Sequence, residues 1–180
     1  MSWVCTDCAQ RHVLPIVGLT VGEDRVAACS VEGNIMVNDL PGGSSRPLAF
    51  PTKGVRPLLP INAGKADLRH QKVVMLSASR PRRGLLACGD SAGYIYLLQP
   101  GRSSAILRTL EVLRGRSLHA IIFSTTRPQI LYALTRRGTL VELDIDRKTV
   151  VSKARLGVTA TCMALSNDGE RLAVGTSAGA

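Results

Sequence analysis

The chain has 180 residues, a formal net charge of +10, 45% hydrophobic residues and only 3% aromatic ones. That apolar fraction excludes a disordered chain, and the length suffices for one domain with a sizeable core. No apolar run approaches the ~18–20 residues that span a bilayer, and the start Met1-Ser2-Trp3-Val4-Cys5 lacks the basic region and apolar stretch of a secretory signal, so no membrane partner is expected.

Residues 1–12 read as a polar leader. Cys5, Cys8 and His12 offer three zinc ligands. A structural site takes four, and a lone C-x2-C lacks its matching second half, so neither metal nor cofactor is expected. The five cysteines are odd in number and show no framework spacing. They read as reduced thiols in an intracellular compartment, cytoplasm or nucleus, with the nucleolus open. Cys29, Cys88 and Cys162 fall within apolar strand patterns and are expected to be small buried hydrophobes.

From residue 13 onward the chain alternates short apolar runs with turn residues, and reads as one partial domain over 13–180. A first unit, about 13–50, has strands at Pro15–Thr20, Arg25–Cys29 and Ile35–Asn38 and a short one near Pro47–Phe50. Residues 51–72 form a long basic connector carrying Lys53, Arg56, Lys65, Arg69 and Lys72. A second unit, about 73–110, has strands at Val73–Ala78, Leu85–Cys88, Tyr94–Leu98 and Ala105–Leu110. A third, about 118–154, has His119–Phe123, Gln129–Leu134, Leu140–Leu143 and Thr149–Lys153. A fourth, about 158–180, has only Thr161–Leu165 and Arg171–Val174, joined by the turn Ser166-Asn167-Asp168-Gly169.

One glycine recurs in each unit: Gly33, Gly93, Gly138 and Gly179, at spacings of 60, 45 and 41 residues. A period of ~40–45 residues is that of four-stranded propeller blades. The first spacing is longer because it contains the 51–72 connector. These glycines are expected to hold equivalent tight turns at positive φ.

The pattern resembles the WD-repeat β-propeller family. Asn38-Asp39-Leu40 and Leu143-Asp144-Ile145 stand where that family has Trp-Asp. Leu97-Leu98 keeps neither residue and no Gly-His pair opens a blade, so the resemblance rests on the strand–turn period. It implies an all-β fold, an incomplete WD-like β-propeller of three four-stranded blades plus the first half of a fourth. It also implies a non-catalytic scaffold that mediates protein–protein interactions in an intracellular multi-subunit complex. Because the fourth unit stops after its second strand, a truncated chain is expected. The piece alone is expected to self-associate, since an open array leaves strand edges and blade faces bare.

Charge points to the kind of partner. Residues 46–116 hold 13 basic and 3 acidic groups. Such a concentration suits RNA or an acidic protein segment. Strand alternation puts the first-to-second and third-to-fourth turns of each blade on one face. Arg80, Arg82, Arg83, Arg102, Arg127, Arg147 and Lys148 land there and are the expected binding residues, because guanidinium forks suit both phosphates and carboxylates. A merely solvated basic surface is the bland alternative. Arg114, Arg116, Arg136, Arg137 and Arg155 fall on the opposite face. The second functional reading is a nuclear or nucleolar propeller in an RNA–protein assembly. Catalysis has little support, and an enzyme is the disfavoured third class: His12, His70 and His119 are scattered, and no nucleophile elbow, phosphate loop or dinucleotide fingerprint is present. Asp144 and Asp146 suit hydrogen bonding at a strand end.

Overall fold

Apolar runs of five or six residues, rich in Val, Ile and Leu and bounded by Gly, Asn, Asp and Ser, are too short for stable helices and fold as strands. The computed structural model describes residues 16–21, 25–30, 35–39, 45–48, 73–78, 85–90, 92–99, 106–113 and 115–179. Four strands form the first sheet: β1 (Ile16–Val21), β2 (Arg25–Ser30), β3 (Ile35–Asp39) and β4 (Ser45–Leu48). The second sheet is β5 (Val73–Ala78), β6 (Leu86–Asp90), β7 (Tyr94–Leu98) and β8 (Ile106–Glu111). The third is β9 (Leu118–Phe123), β10 (Ile130–Thr135), β11 (Thr139–Asp144) and β12 (Thr149–Arg155). Two strands follow, β13 (Ala160–Leu165) and β14 (Leu172–Thr176).

Each sheet is an antiparallel meander in chain order, and β13 pairs with β14 alone. The first strands pack on one another from sheet to sheet: β1 on β5, β5 on β9, β9 on β13. They are therefore the inner strands, and the sheets are blades of a partial propeller. The fourth strand of the first blade starts at Ser45 rather than near Pro47, because Arg46 and Pro47 already pair with Val37 and Met36. The last strand runs on to Thr176, which pairs with Ala160.

A second repeat, invisible in the glycine spacing, is written into the register. In all four blades the pairing of the first two strands slips after its opening pair. Ile16 faces Ser30, then Gly18 faces Cys29; Val73 faces Asp90, then Met75 faces Gly89. Leu118 faces Thr135, then Ala120 faces Leu134; Ala160 faces Thr176, then Cys162 faces Gly175. The slipped residues Val17, Val74, His119 and Thr161 are the equivalent positions. A bulge sharpens twist and re-aims the side chain it carries. Two of these bulges meet across a seam, where His119 Nε2 lies 2.8 Å from the carbonyl oxygen of Thr161.

The core lies between the second and third blades. Leu97, Ile121, Phe123, Leu131, Val141 and Leu143 are among its members, all at most 6% exposed. β6 and β10 are buried on both faces, which is why they read as unbroken apolar runs rather than alternating ones. Burial fades toward the last blade. β12 is exposed throughout, and β13 and β14 are half-covered at best apart from Ala160.

Candidate interaction face

Strand alternation gives the array two turn-bearing faces. One carries the β9–β10, β11–β12 and β13–β14 turns. The other carries the β6–β7 and β10–β11 turns and the connectors between blades.

The first face holds the described members of the expected basic set. Arg127 folds back over its own blade. Its Nη1 lies 2.8 Å from Glu142 Oε1, and its Nη2 donates to the Tyr132 hydroxyl. Tyr132, Glu142 and Ser152 are successive cross-strand partners, and Ser152 Oγ donates to Glu142 Oε2 at 3.0 Å. Partial burial would lower the Arg127 pKa, but the neighbouring Tyr132 and Glu142 outweigh it and raise it further. Arg147 is 83% exposed and stands 3.9 Å from Asp144 Oδ2. Asp144 Oδ1 accepts the amides of Asp146 and Arg147 at 3.0 and 2.9 Å, which shapes the turn. Lys148 completes that turn at a φ of 59° with its side chain in water. Asp146, Asp168 and Glu170 share this face, and the Ser166 hydroxyl and the Glu170 amide hold the Asp168 carboxyl below its ordinary pKa. Among the described residues, then, positive charge here is offset by carboxylates. Arg80, Arg82, Arg83 and Arg102 lie outside the described residues, as do Gly33, Cys5, Cys8, His12 and the 51–72 connector.

The opposite face is built differently. Gly93 and Gly138 hold their turns at φ of 96° and 69°. Each turn is stitched to the connector that follows its blade. The Val112 and Leu113 amides donate to Gly93 O at 3.2 and 3.3 Å, and the Leu156 amide donates to Gly138 O at 2.8 Å. Ala160 N donates to Arg136 O at 3.0 Å. A Cβ on Gly93 would come within 2.2 Å of Leu113 O, and one on Gly138 within 2.2 Å of Val158 O. Glycine is thus required twice over, for its φ and for the close approach of a neighbouring carbonyl. Gly179 has the same turn geometry at φ 79°, with open space where its Cβ would be.

This stitching gathers exposed arginines on a fixed backbone. Arg136 and Arg137 form the β10–β11 turn, and Arg155 ends β12 opposite Thr139. Arg116 occupies the preceding connector. All four are exposed, and no ion pair engages them among the described residues. The carboxylates described on this face are Asp90, which is buried, and Glu111 at the end of β8. Asp90 Oδ1 accepts the Ala92 and Tyr94 amides at 2.9 Å each, and its Oδ2 accepts from the Tyr96 hydroxyl. Burial raises the pKa of both partners, and for Tyr96 the Asp90 charge adds to it. In the third blade Thr135 takes the same place, its Oγ1 accepting the Thr139 amide at 3.0 Å.

The sequence places Arg116, Arg136, Arg137 and Arg155 on this face but does not single them out. The signal was present: Arg136 and Arg137 fall in a repeat turn with no acid beside them. Cys88 is buried as expected, whereas Cys162 is exposed, because no described residue covers the far side of β13. Among the described residues no group of His, Cys, Asp and Glu could hold a metal ion.

No family model matches the chain, and no curated protein matches it either. Solved structures do. A computationally designed protein, Ika4, superposes with a TM-score of 0.70 at 16% identity, over 100% of this chain and 96% of its own. The Cps50 (Swd1) β-propeller domain of Myceliophteria thermophila gives a TM-score of 0.70 at 13% identity, over 93% of this chain and 51% of its own. A chain of the mitotic checkpoint complex gives 0.66 at 19% identity, over 87% and 42%. The chain therefore spans about half the length of these two natural relatives in structure. At such identities the likeness shows the fold, a β-propeller represented by three four-stranded blades and two strands of a fourth.

Proposed function

We propose that the chain is a non-catalytic scaffold module that binds a protein partner through its connector-bearing face, within an intracellular multi-subunit complex. The observation that carries this reading is the Arg136, Arg137 and Arg155 cluster, exposed, free of carboxylate partners among the described residues, and mounted on a hydrogen-bonded turn. Exposed guanidinium groups on a rigid frame recognise carboxylates in paired geometry at little cost in ordering. The favoured partner is an acidic protein segment rather than RNA. Single-stranded RNA is gripped by aromatic platforms beside the basic groove, and three of the four described aromatics are committed elsewhere, which leaves Tyr94 alone. Tyr96 is bonded to Asp90, Tyr132 to Arg127, and Phe123 lies in the core.

The experiment is fluorescence anisotropy of the 180-residue chain with two probes, a labelled Glu-rich peptide and a labelled RNA oligonucleotide. Peptide binding that falls at least about tenfold in the Arg136→Glu, Arg137→Glu double variant is expected, since two charge-assisted contacts are lost. Peptide binding indifferent to those substitutions would locate the contact elsewhere. Tight RNA binding with a steep salt slope would favour the RNA–protein assembly instead.

A further inference from the structure

The connector between the second and third blades sets a hydroxyl among the exposed arginines. Ser117 directly precedes β9, in the run Arg114-Gly115-Arg116-Ser117-Leu118. Gly115, Arg116 and Ser117 are exposed in succession and lie outside any strand. The Gly115 amide donates to Ala92 O at 3.2 Å and the Arg116 amide to Leu113 O at 2.9 Å, which ties the run down at one end. Leu118, at 2% exposure, anchors it at the other. The Ser117 hydroxyl donates to Leu118 O at 3.3 Å, long for a hydroxyl bond and easily given up.

Register decides what surrounds this hydroxyl. Leu118 is the partner of Thr135, so one step further out Ser117 comes beside Arg136, the first residue of the β10–β11 turn. Opposed Cα atoms of an antiparallel pair lie about 4.5–5.5 Å apart, a gap that an arginine side chain spans. Arg116 is the chain neighbour of Ser117. A phosphate on the Ser117 oxygen would therefore meet two guanidinium groups as charge-assisted partners.

A second observation picks out the same residue. Among the described residues, two hydroxyl side chains have an arginine three places before them: Ser117 after Arg114, and Thr139 after Arg136. One class of protein kinases selects its acceptor by an arginine so placed, through charge complementarity with the enzyme. Spacing alone favours Thr139, which follows both Arg136 and Arg137, but Thr139 is 2% exposed and cannot be reached. Thr159 stands before β13 as Ser117 stands before β9, and it is exposed, yet Leu156, Gly157 and Val158 precede it.

We propose that Ser117 is a phosphorylation site for an arginine-directed kinase, and that its phosphate folds onto Arg116 and Arg136 and closes the arginine cluster to an acidic partner. The γ-phosphoryl group of ATP passes to Ser117 Oγ, ADP leaves, and the hydroxyl proton is released. The added charge, about −1.5 to −2 at pH 7, offsets that of two guanidinium groups. The occlusion rests on the partner reading above, whereas the contact between phosphate and arginine does not.

The test incubates the 180-residue chain with magnesium, ATP and a kinase that selects arginine at the third place before the acceptor. Mass spectrometry should find phosphate at Ser117 and none at Thr139 or Thr159. Phosphorus NMR of the modified chain then reads the contact. Two arginine neighbours should pull the second ionisation of the phosphate below its ordinary pKa of about 6, and Arg136→Gln should return it most of the way. Binding of the labelled Glu-rich peptide should be at least about tenfold weaker in the phosphorylated chain. The proposal is overturned by a chain that takes no phosphate at Ser117, by an ionisation that is ordinary or indifferent to Arg136→Gln, or by a peptide affinity that the phosphate leaves unchanged. An unmodified chain that leaves the peptide unbound overturns the partner reading, and the occlusion with it, while the phosphorus titration judges the arginine contact by itself.

Discussion

Asp90 illustrates how a single buried carboxylate fixes a turn. Its two oxygens accept two turn amides and a phenol in a place that is 1% exposed. Removing the acceptor would orphan all three donors, so Asp90→Ala should cost about 2–4 kcal/mol. Asp90→Asn is a different experiment. The amide oxygen can still accept from Ala92 and Tyr94, and the amide nitrogen can donate to the Tyr96 oxygen. What it removes is the buried charge. Burial raises the Asp90 pKa above its ordinary 3.8, so the folded state holds this proton more firmly than the unfolded chain. The stabilising contribution is therefore complete below pH 3.8 and is lost as pH rises through the raised value. Asparagine does not titrate. Urea unfolding of both chains should show the Asn variant gaining on the wild type between pH 3 and pH 7. A gap that stays constant over that range would mean that Asp90 does not titrate as the buried geometry requires.

At the scale of the element, the repeating unit is less a strand than a turn with the connector laid over it. The β10–β11 turn and the β12–β13 connector are one structural piece, held by Leu156 N to Gly138 O and Ala160 N to Arg136 O. Gly138 and Gly179 share a left-handed turn, but only Gly138 has a carbonyl where its Cβ would be. Gly179→Ala should then cost only the left-handed penalty, about 1 kcal/mol. Gly138→Ala carries that penalty plus the displacement of Val158, and should cost at least about 1–2 kcal/mol more. Equal shifts in unfolding midpoint for the two variants would show that the connector yields freely. Strand order was legible from these glycines, because a tight turn needs the same residue in every copy. What a blade face meets was not. Leu97 and Glu142 occupy equivalent strand positions, yet one is core and the other pairs with Arg127 at the seam toward β13. Cys162 reads like Cys88 in its strand, yet it is exposed, since burial depends on the next blade rather than on its own neighbours. The basic residues followed the same logic: alternation assigns each to a face, but ion pairing within that face depends on how Arg127 folds back, which spacing does not encode.

The whole molecule is a one-dimensional stack, and its stability should be graded along that axis. In such an array each unit contributes its own stability and the contact with its neighbours, and no element contacts distant ones. The continuous core here is drawn from the second and third blades, with Ile95, Leu97, Leu131, Ala133 and Val141 each at most 2% exposed. β13 and β14 bury one inner-strand face only, and β12 has Val150 and Val151 at 50% and 55% exposure. Local opening free energies follow buried apolar contact, so the least covered strands should open without unfolding the rest. Native-state hydrogen exchange is the measurement that separates the cases. Amides of β6, β7, β10 and β11 should exchange slowest, near the free energy of global unfolding. Amides of β13 and β14 should exchange faster, and the outer edge of β12 should exchange nearly as readily as a loop. Uniform protection from β6 to β14 would mean that the stack unfolds as one cooperative unit, with the two strands of the last blade bound as firmly as the central seam.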